Sequence, residues 1–175
     1  MKILFVCLGN ICRSPMAAGI LKKLVTDLDL DWQIASTGLA NKYVGCSADP
    51  RVIEVARKHG INLSSHIARK FQQSDFEQYD MLITMNDELA NRIRTKANNL
   101  NQADKVWLLP DFLEDLGEQI ELPDPYFWEV PLFESLFLKI ESACRVIITN
   151  FNIPDIVELF DDTMAHNALN LEQET

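Results

Sequence analysis

Residues 2–25, "KILFVCLGNICRSPMAAGILKKLV", decide the fold. "KILFVCL" is an unbroken apolar run, the pattern of a strand buried on both faces of a parallel sheet. A polar turn around Gly9 stops it. "SPMAAGILKKLV" then repeats apolar residues at helical spacing through Met16, Ala17, Ile20, Leu21, Leu24 and Val25. Ser14 stands where a helix cap belongs and Pro15 where a first helical residue belongs. A buried strand feeding a helix through a short turn is the opening of an α/β unit.

The pattern repeats outward. "WQIAST" (32–37), "YDMLITM" (79–85) and "KVWLLP" (105–110) read as strands. "DPRVIEVARKHG" (49–60), "NDELANRIRTKA" (86–97) and "PLFESLFLKIESACRVIITNF" (131–151) read as helices, and "ELPDPYFW" (121–128) as a proline-broken loop. Alternating strands and helices imply a layered fold with right-handed crossovers. No internal repeat or low-complexity segment interrupts the series. One domain over 1–150 and an acidic extension over 151–175 are expected.

Length and composition set limits. The chain has 175 residues, enough for one sizeable core, with 47% hydrophobic and 24% charged residues, a globular balance. A net charge of −10 argues against general nucleic-acid or anionic-membrane binding, which need a basic face. No export signal and no membrane-spanning run is read, so a cytoplasmic location with reduced thiols is expected. Cys7, Cys12, Cys46 and Cys144 have no metal-ligand spacing, and His59, His66 and His166 are scattered; no metal or cofactor is expected.

The turn Cys7-Leu8-Gly9-Asn10-Ile11-Cys12-Arg13-Ser14 lies where ligands of α/β sheets bind, at the carboxyl edge. Its N–H groups and the start of the helix form an anion cradle, and Gly9 lets the backbone curl close. It lacks the Walker pattern G-x-x-x-x-G-K-[ST]. A thiol ringed by N–H dipoles and a guanidinium is favoured as the thiolate, a nucleophile at neutral pH. Arg13, six residues on, can clamp two phosphate oxygens with its planar fork. Ser14 could donate to the sulfur. The implied chemistry is attack of sulfur on phosphorus.

C-x5-R alone is commonplace, and a small buried Cys beside a capping Arg would explain it. Placement between a buried strand and a helix favours the functional reading. Expelling the leaving oxygen needs an acid. Asp124 in "LPDPYFW", stiffened by Pro123 and Pro125, is the candidate. Leu8, Ile11, Tyr43, Tyr126 and Phe127 could wall a pocket for a planar ring.

These motifs resemble a known family. "VCLGNICRSP" is similar to the V-C-x-G-N-I-C-R-S-P signature of the low-molecular-weight protein tyrosine phosphatases, and "PDPYF" to their D-P-Y-Y acid loop. "STG" (36–38), "VGCSADPR" (44–51), "HIARKF" (66–71) and "DFEQYDMLITM" (75–85) match as well. The resemblance implies a three-layer α/β fold, a four-stranded parallel sheet flanked by helices, with the phosphate-binding loop between first strand and first helix. It implies a metal-independent phosphomonoesterase acting on phosphotyrosine proteins, with Cys7 as nucleophile, Arg13 as clamp and Asp124 as acid and base. Asn10, Ser14, Ser36 and His66 would form the network shaping the loop, and Cys12 could form a reversible disulfide with Cys7.

The chain departs from the family in places. Phe127 replaces the second tyrosine, Trp128 stands where glycine is usual, and Lys42 takes the place of a rim tryptophan. Arsenate reductases sharing the loop need two further late cysteines, which are missing between Cys46 and Cys144. Arginine phosphatases of similar pattern carry Thr where Ile11 stands, and an apolar Ile11 suits a phenyl ring. A phosphotyrosine-binding module without turnover remains the alternative of another class.

In the extension, Ile156, Leu159, Phe160 and Met164 could form an apolar stripe on a short helix over 155–165. Cations expected near the mouth are Arg13, Lys42, Arg51, Arg69 and Lys70. The sequence leaves the oligomeric state open.

Overall fold

The computed structural model describes residues 1–113 and 130–151. Strand β1 (Lys2–Cys7) leads into helix α1 (Arg13–Asp27), and β2 (Gln33–Gly38) follows. Helices α2 (Pro50–Lys58) and α3 (Asp75–Gln78) precede β3 (Met81–Thr84). Helices α4 (Asp87–Arg94) and α5 (Leu100–Ala103), strand β4 (Val106–Leu108) and the long α6 (Val130–Phe151) complete the described residues.

The four strands form one parallel sheet in the order β2-β1-β3-β4. β1 sits inside the sheet, paired Cys7 to Gly38 on one side and Val6 to Thr84 on the other. Its run from Ile3 to Val6 is fully buried because layers cover both faces. Stepping from β1 to β2 runs opposite to stepping from β3 to β4. Right-handed crossovers therefore put α1 and α4 on opposite faces, and α6 packs beside α1. Phe133, Leu136, Phe137, Ile140, Ala143, Cys144, Ile147 and Ile148 of α6 are buried at i, i+3, i+4 spacing, the stripe that seats this helix on the core.

Helix entries show where local signals won. Asp49 caps α2 by accepting from Arg51 N at 2.9 Å, with Pro50 opening the helix. Asn86 and Asn99 cap α4 and α5 in the same way. The start of α1 differs. Its N-cap is Cys12, without a side-chain cap bond, and Ser14 and Pro15 stand second and third in the helix. Ser14 does not cap because its hydroxyl faces the sulfur of Cys7 at 2.9 Å. Pro15 still costs nothing, since the first helical turn has no internal acceptors for its donors. The single-turn helices α3 and α5 carry too few residues for a periodic signal and were not expected from the sequence.

Candidate active site

Cys7 ends β1 at the carboxyl edge, and residues 8–12 curl over it before α1 begins. The curl depends on neighbours that leave room. A Cβ on Gly38, the last residue of β2, would lie 2.9 Å from Asn10 N, Gly9 C and Leu8 O. The loop is thus packed against β2 at backbone contact. Leu39 N and Ala40 N donate to the carbonyls of Cys7 and Leu8 at 3.1 and 2.8 Å, and Asp49 N donates to Ile11 O at 2.8 Å. Tyr43 lies over the loop, since a Cβ on Gly9 would come 2.8 Å from its Cδ2.

Asn10 is the hub. Its φ of 57° is left-handed, a conformation asparagine tolerates better than most residues. That turn aims its own N–H at Cys7 Sγ, 3.1 Å away. Its side chain is saturated: Nδ2 donates to Ser14 Oγ at 3.0 Å and Ser36 Oγ at 2.9 Å, and Oδ1 accepts from Arg69 N at 3.0 Å. Arg69 N can only donate, which fixes the amide orientation. The Asn10 carbonyl accepts from His66 Nε2 at 2.7 Å. A carbonyl only accepts, so the imidazole carries its proton on Nε2. Burial pushes the His66 pKa below its ordinary value, the bond to Asn10 opposes this, and the Lys22 charge adds to the lowering.

The Asn10 amide occupies a Ser14 lone pair, which leaves the hydroxyl proton for Cys7 Sγ at 2.9 Å or Thr37 O at 3.3 Å. The sulfur thus meets one backbone N–H and one hydroxyl at the centre of the curl, beside the uncapped start of α1. The dipole of that helix adds positive potential there. Arg13, Asn10 and Ser14 are all buried.

Four of the residues assigned from the sequence, Cys7, Asn10, Ser14 and Ser36, therefore form one bonded cluster, with His66 holding its outer edge. Cys12 is buried on the loop, and its side chain hydrogen-bonds Asp49, whose pKa is lowered chiefly by Arg51. Leu8 and Ile11 are half-buried at the rim with Tyr43. Asp124, Tyr126, Phe127 and Trp128 lie outside the described residues, as does the extension beyond Phe151.

Sequence reasoning missed the outer support. Arg69 stitches the loop with its backbone: its N–H serves Asn10, and its carbonyl accepts from Gly38 N at 2.9 Å and Thr37 Oγ1 at 3.1 Å. Its guanidinium forms a bidentate pair with buried Asp75 at 3.0 and 3.0 Å. Asp75 also accepts from Gln72 N at 2.8 Å. Two expected mouth cations are therefore already paired, Arg69 with Asp75 and Arg51 with Asp49, because nearby carboxylates compete for them. Lys42 lies over the Tyr43 ring, 5.2 Å from its centre. Among the described residues no three His, Cys, Asp or Glu side chains gather as a metal site, and no helix is long and apolar enough to cross a membrane.

Known proteins resemble this chain in sequence and fold. The family model described as low molecular weight phosphotyrosine protein phosphatase matches residues 2–154. A protein of that name from Sus scrofa is 36% identical over 150 residues, 84% of this chain and 93% of that protein. The crystal structure of a protein tyrosine phosphatase from Entamoeba histolytica, with Hepes in its active site, superposes with a TM-score of 0.78 at 31% identity, covering 85% of this chain and 94% of that one. The structure of the Drosophila arginine phosphatase superposes with a TM-score of 0.81 at 30% identity, covering 89% and 100%. The match spans most of both partners and includes the Cys7 loop, so the chain belongs to the low molecular weight phosphotyrosine protein phosphatase family and is a protein-tyrosine-phosphatase by that membership.

Proposed function

We propose that the chain hydrolyses phosphotyrosine in proteins through a phosphocysteine intermediate, without a metal, in the cytoplasm. The observation that carries the proposal is the setting of Cys7 Sγ, which faces Asn10 N–H and the Ser14 hydroxyl at the centre of a loop held from behind by Gly38, Arg69 and His66. In this reading the phosphate sits in the curl, with its oxygens on loop N–H groups and the Arg13 fork. Cys7 Sγ attacks phosphorus, and the bond to the phenolic oxygen breaks. Asp124 protonates that oxygen and later takes a proton from the water that releases phosphate from sulfur. Loop amides and Arg13 stabilise the spread charge of both transition states. Each such donor is worth about a hundredfold in rate. In the same reading, a peroxide that oxidises Cys7 to the sulfenic acid is answered by Cys12, which displaces water to form a reversible disulfide. Residues 1–150 are read as the phosphatase domain and 151–175 as an acidic extension.

The match to the Drosophila arginine phosphatase supports a second substrate, phosphoarginine. The half-buried, apolar Leu8 and Ile11 at the rim favour the flat phenyl ring. The test compares wild type and Cys7→Ser on a chromogenic aryl phosphate, a phosphotyrosine peptide and a phosphoarginine peptide. Turnover lost in Cys7→Ser, with phosphate found on Cys7 in wild type after rapid denaturation during turnover, is the expected result. Retained turnover in Cys7→Ser removes the mechanism. Binding of phosphotyrosine without turnover by wild type would make the chain a recognition module, and a preference for phosphoarginine would reassign the substrate.

A further inference from the structure

Behind the loop, a cleft of about 630 Å³ opens between α1, β2 and residues 60–67. Ser36 and His66 line it, the two side chains that hold Asn10 from outside the loop. The Ser36 hydroxyl accepts from Asn10, and its own proton has no partner among the described residues. His66 uses Nε2 on Asn10 O, and no buried side-chain nitrogen among the described residues is left unpaired, so Nδ1 is open to solvent. Lys22 lines the same cleft, close enough to influence the imidazole. It has no ion pair among the described residues, whereas Lys23 pairs with Asp27 at 2.6 Å. The rest of the wall is mixed: Thr26, Asn62, Ser65 and the Lys23–Asp27 pair are polar, and Ile61, Leu63 and Ile67 form its apolar part. Ile67 is 59% exposed, a large hydrophobe left uncovered. Gly19 lets Ile61 and Leu63 lie directly on α1, since a Cβ there would come 2.9 Å from each.

We propose that this cleft binds a small organic anion, a carboxylate or phosphate on an apolar or aromatic body, and that its occupancy tunes the catalytic loop through Ser36 and His66. The anionic group meets the Lys22 ammonium and accepts the Ser36 proton, while the body lies on Ile67. A contact with Ser36 or His66 acts on Asn10, which carries the N–H aimed at Cys7 Sγ. The coupling rests on the phosphatase reading; the binding does not.

The experiment titrates the isotope-labelled full chain with 2-naphthoate and follows backbone amides, with turnover of an aryl phosphate measured in parallel. Saturable shifts are expected at Gly19, Lys22, Ser36 and Ile67, extending to Asn10. Lys22→Glu and Ile67→Asp should keep basal turnover and weaken binding about tenfold, the loss of one charge-assisted contact or a comparable apolar one. At saturation kcat should change about fivefold with KM constant. Shifts confined to residues 8–14 and reversed by inorganic phosphate would overturn the site, as would absence of saturation or unchanged affinity in Lys22→Glu. Saturation with kcat unmoved would overturn the coupling. If wild type shows no turnover, the shifts still decide the binding.

Discussion

Gly38→Ala tests whether the loop is held by shape. The new methyl would stand 2.9 Å from three backbone atoms of residues 8–10, where ordinary contact begins at 3.4 Å. About half an ångström must be found. Gly38 cannot supply it by retreating, because its N–H is bonded to Arg69 O and its carbonyl accepts from Phe71 N at 2.8 Å. Its φ is not among the left-handed ones, so alanine adds no backbone strain. The displacement therefore falls on the loop. Overpacking of this kind costs about 2 kcal/mol, which for a chain of this size lowers Tm by about 4–8 °C. The protein still folds, since total stability is several times larger. A misplacement of 1 Å costs about a hundredfold in rate, so half of it should cost kcat/KM about tenfold. The assay pairs calorimetry with hydrolysis of an aryl phosphate. Gly45→Ala is the control: φ is 84° and nothing lies within 4 Å, so it should lose stability and keep activity. Wild-type kcat/KM in Gly38→Ala would refute the idea that β2 backbone fixes the curl.

Further tests reach the outer support. Asp75→Asn breaks the bidentate pair with Arg69, and because that Arg is 39% exposed the cost is discounted to about 2 kcal/mol; calorimetry should show Tm lower by about 4–8 °C. The His66 imidazole is held neutral below its ordinary 6.5, so the unfolded chain takes up the proton first as pH falls. Stability should decline below about pH 6.5, and His66→Gln, which keeps a donor for Asn10 O, should flatten that slope in Tm measured against pH. Burial also pushes the Cys144 thiol far up. A thiol reagent on the native protein should label exposed Cys46 at once, and Cys144 only after unfolding.

The fold was legible because each strand and long helix carries its period in consecutive residues. "KILFV" is short, rich in strand formers and stopped by a glycine turn, which marks a strand covered on both faces, and the α6 stripe from Phe133 to Ile148 marks a helix. The loop was legible for a different reason: backbone-directed chemistry compresses into eight residues. What stayed hidden is what depends on pairing across distance. Ser14 looks like a cap by local rule, yet tertiary bonding to Cys7 takes its hydroxyl. Arg69 looks like a free cation, yet Asp75 claims its guanidinium while its main chain, which has no sequence signature, holds Asn10 and Gly38.

The long-range contacts share a direction. Thr37, Gly38, Arg69 and His66 reach the loop from β2 and from the segment before α3, Thr37 at Ser14 and the other three at Asn10. An asparagine with left-handed φ costs folding energy of about 1 kcal/mol. Its five hydrogen bonds, one of them to the Cys7 sulfur, more than offset that, at about 1 kcal/mol each. The strain and its compensation therefore belong to one device: the chain spends local conformational energy to turn a single N–H onto Cys7 Sγ, and β2 and residues 66–69 hold that turn.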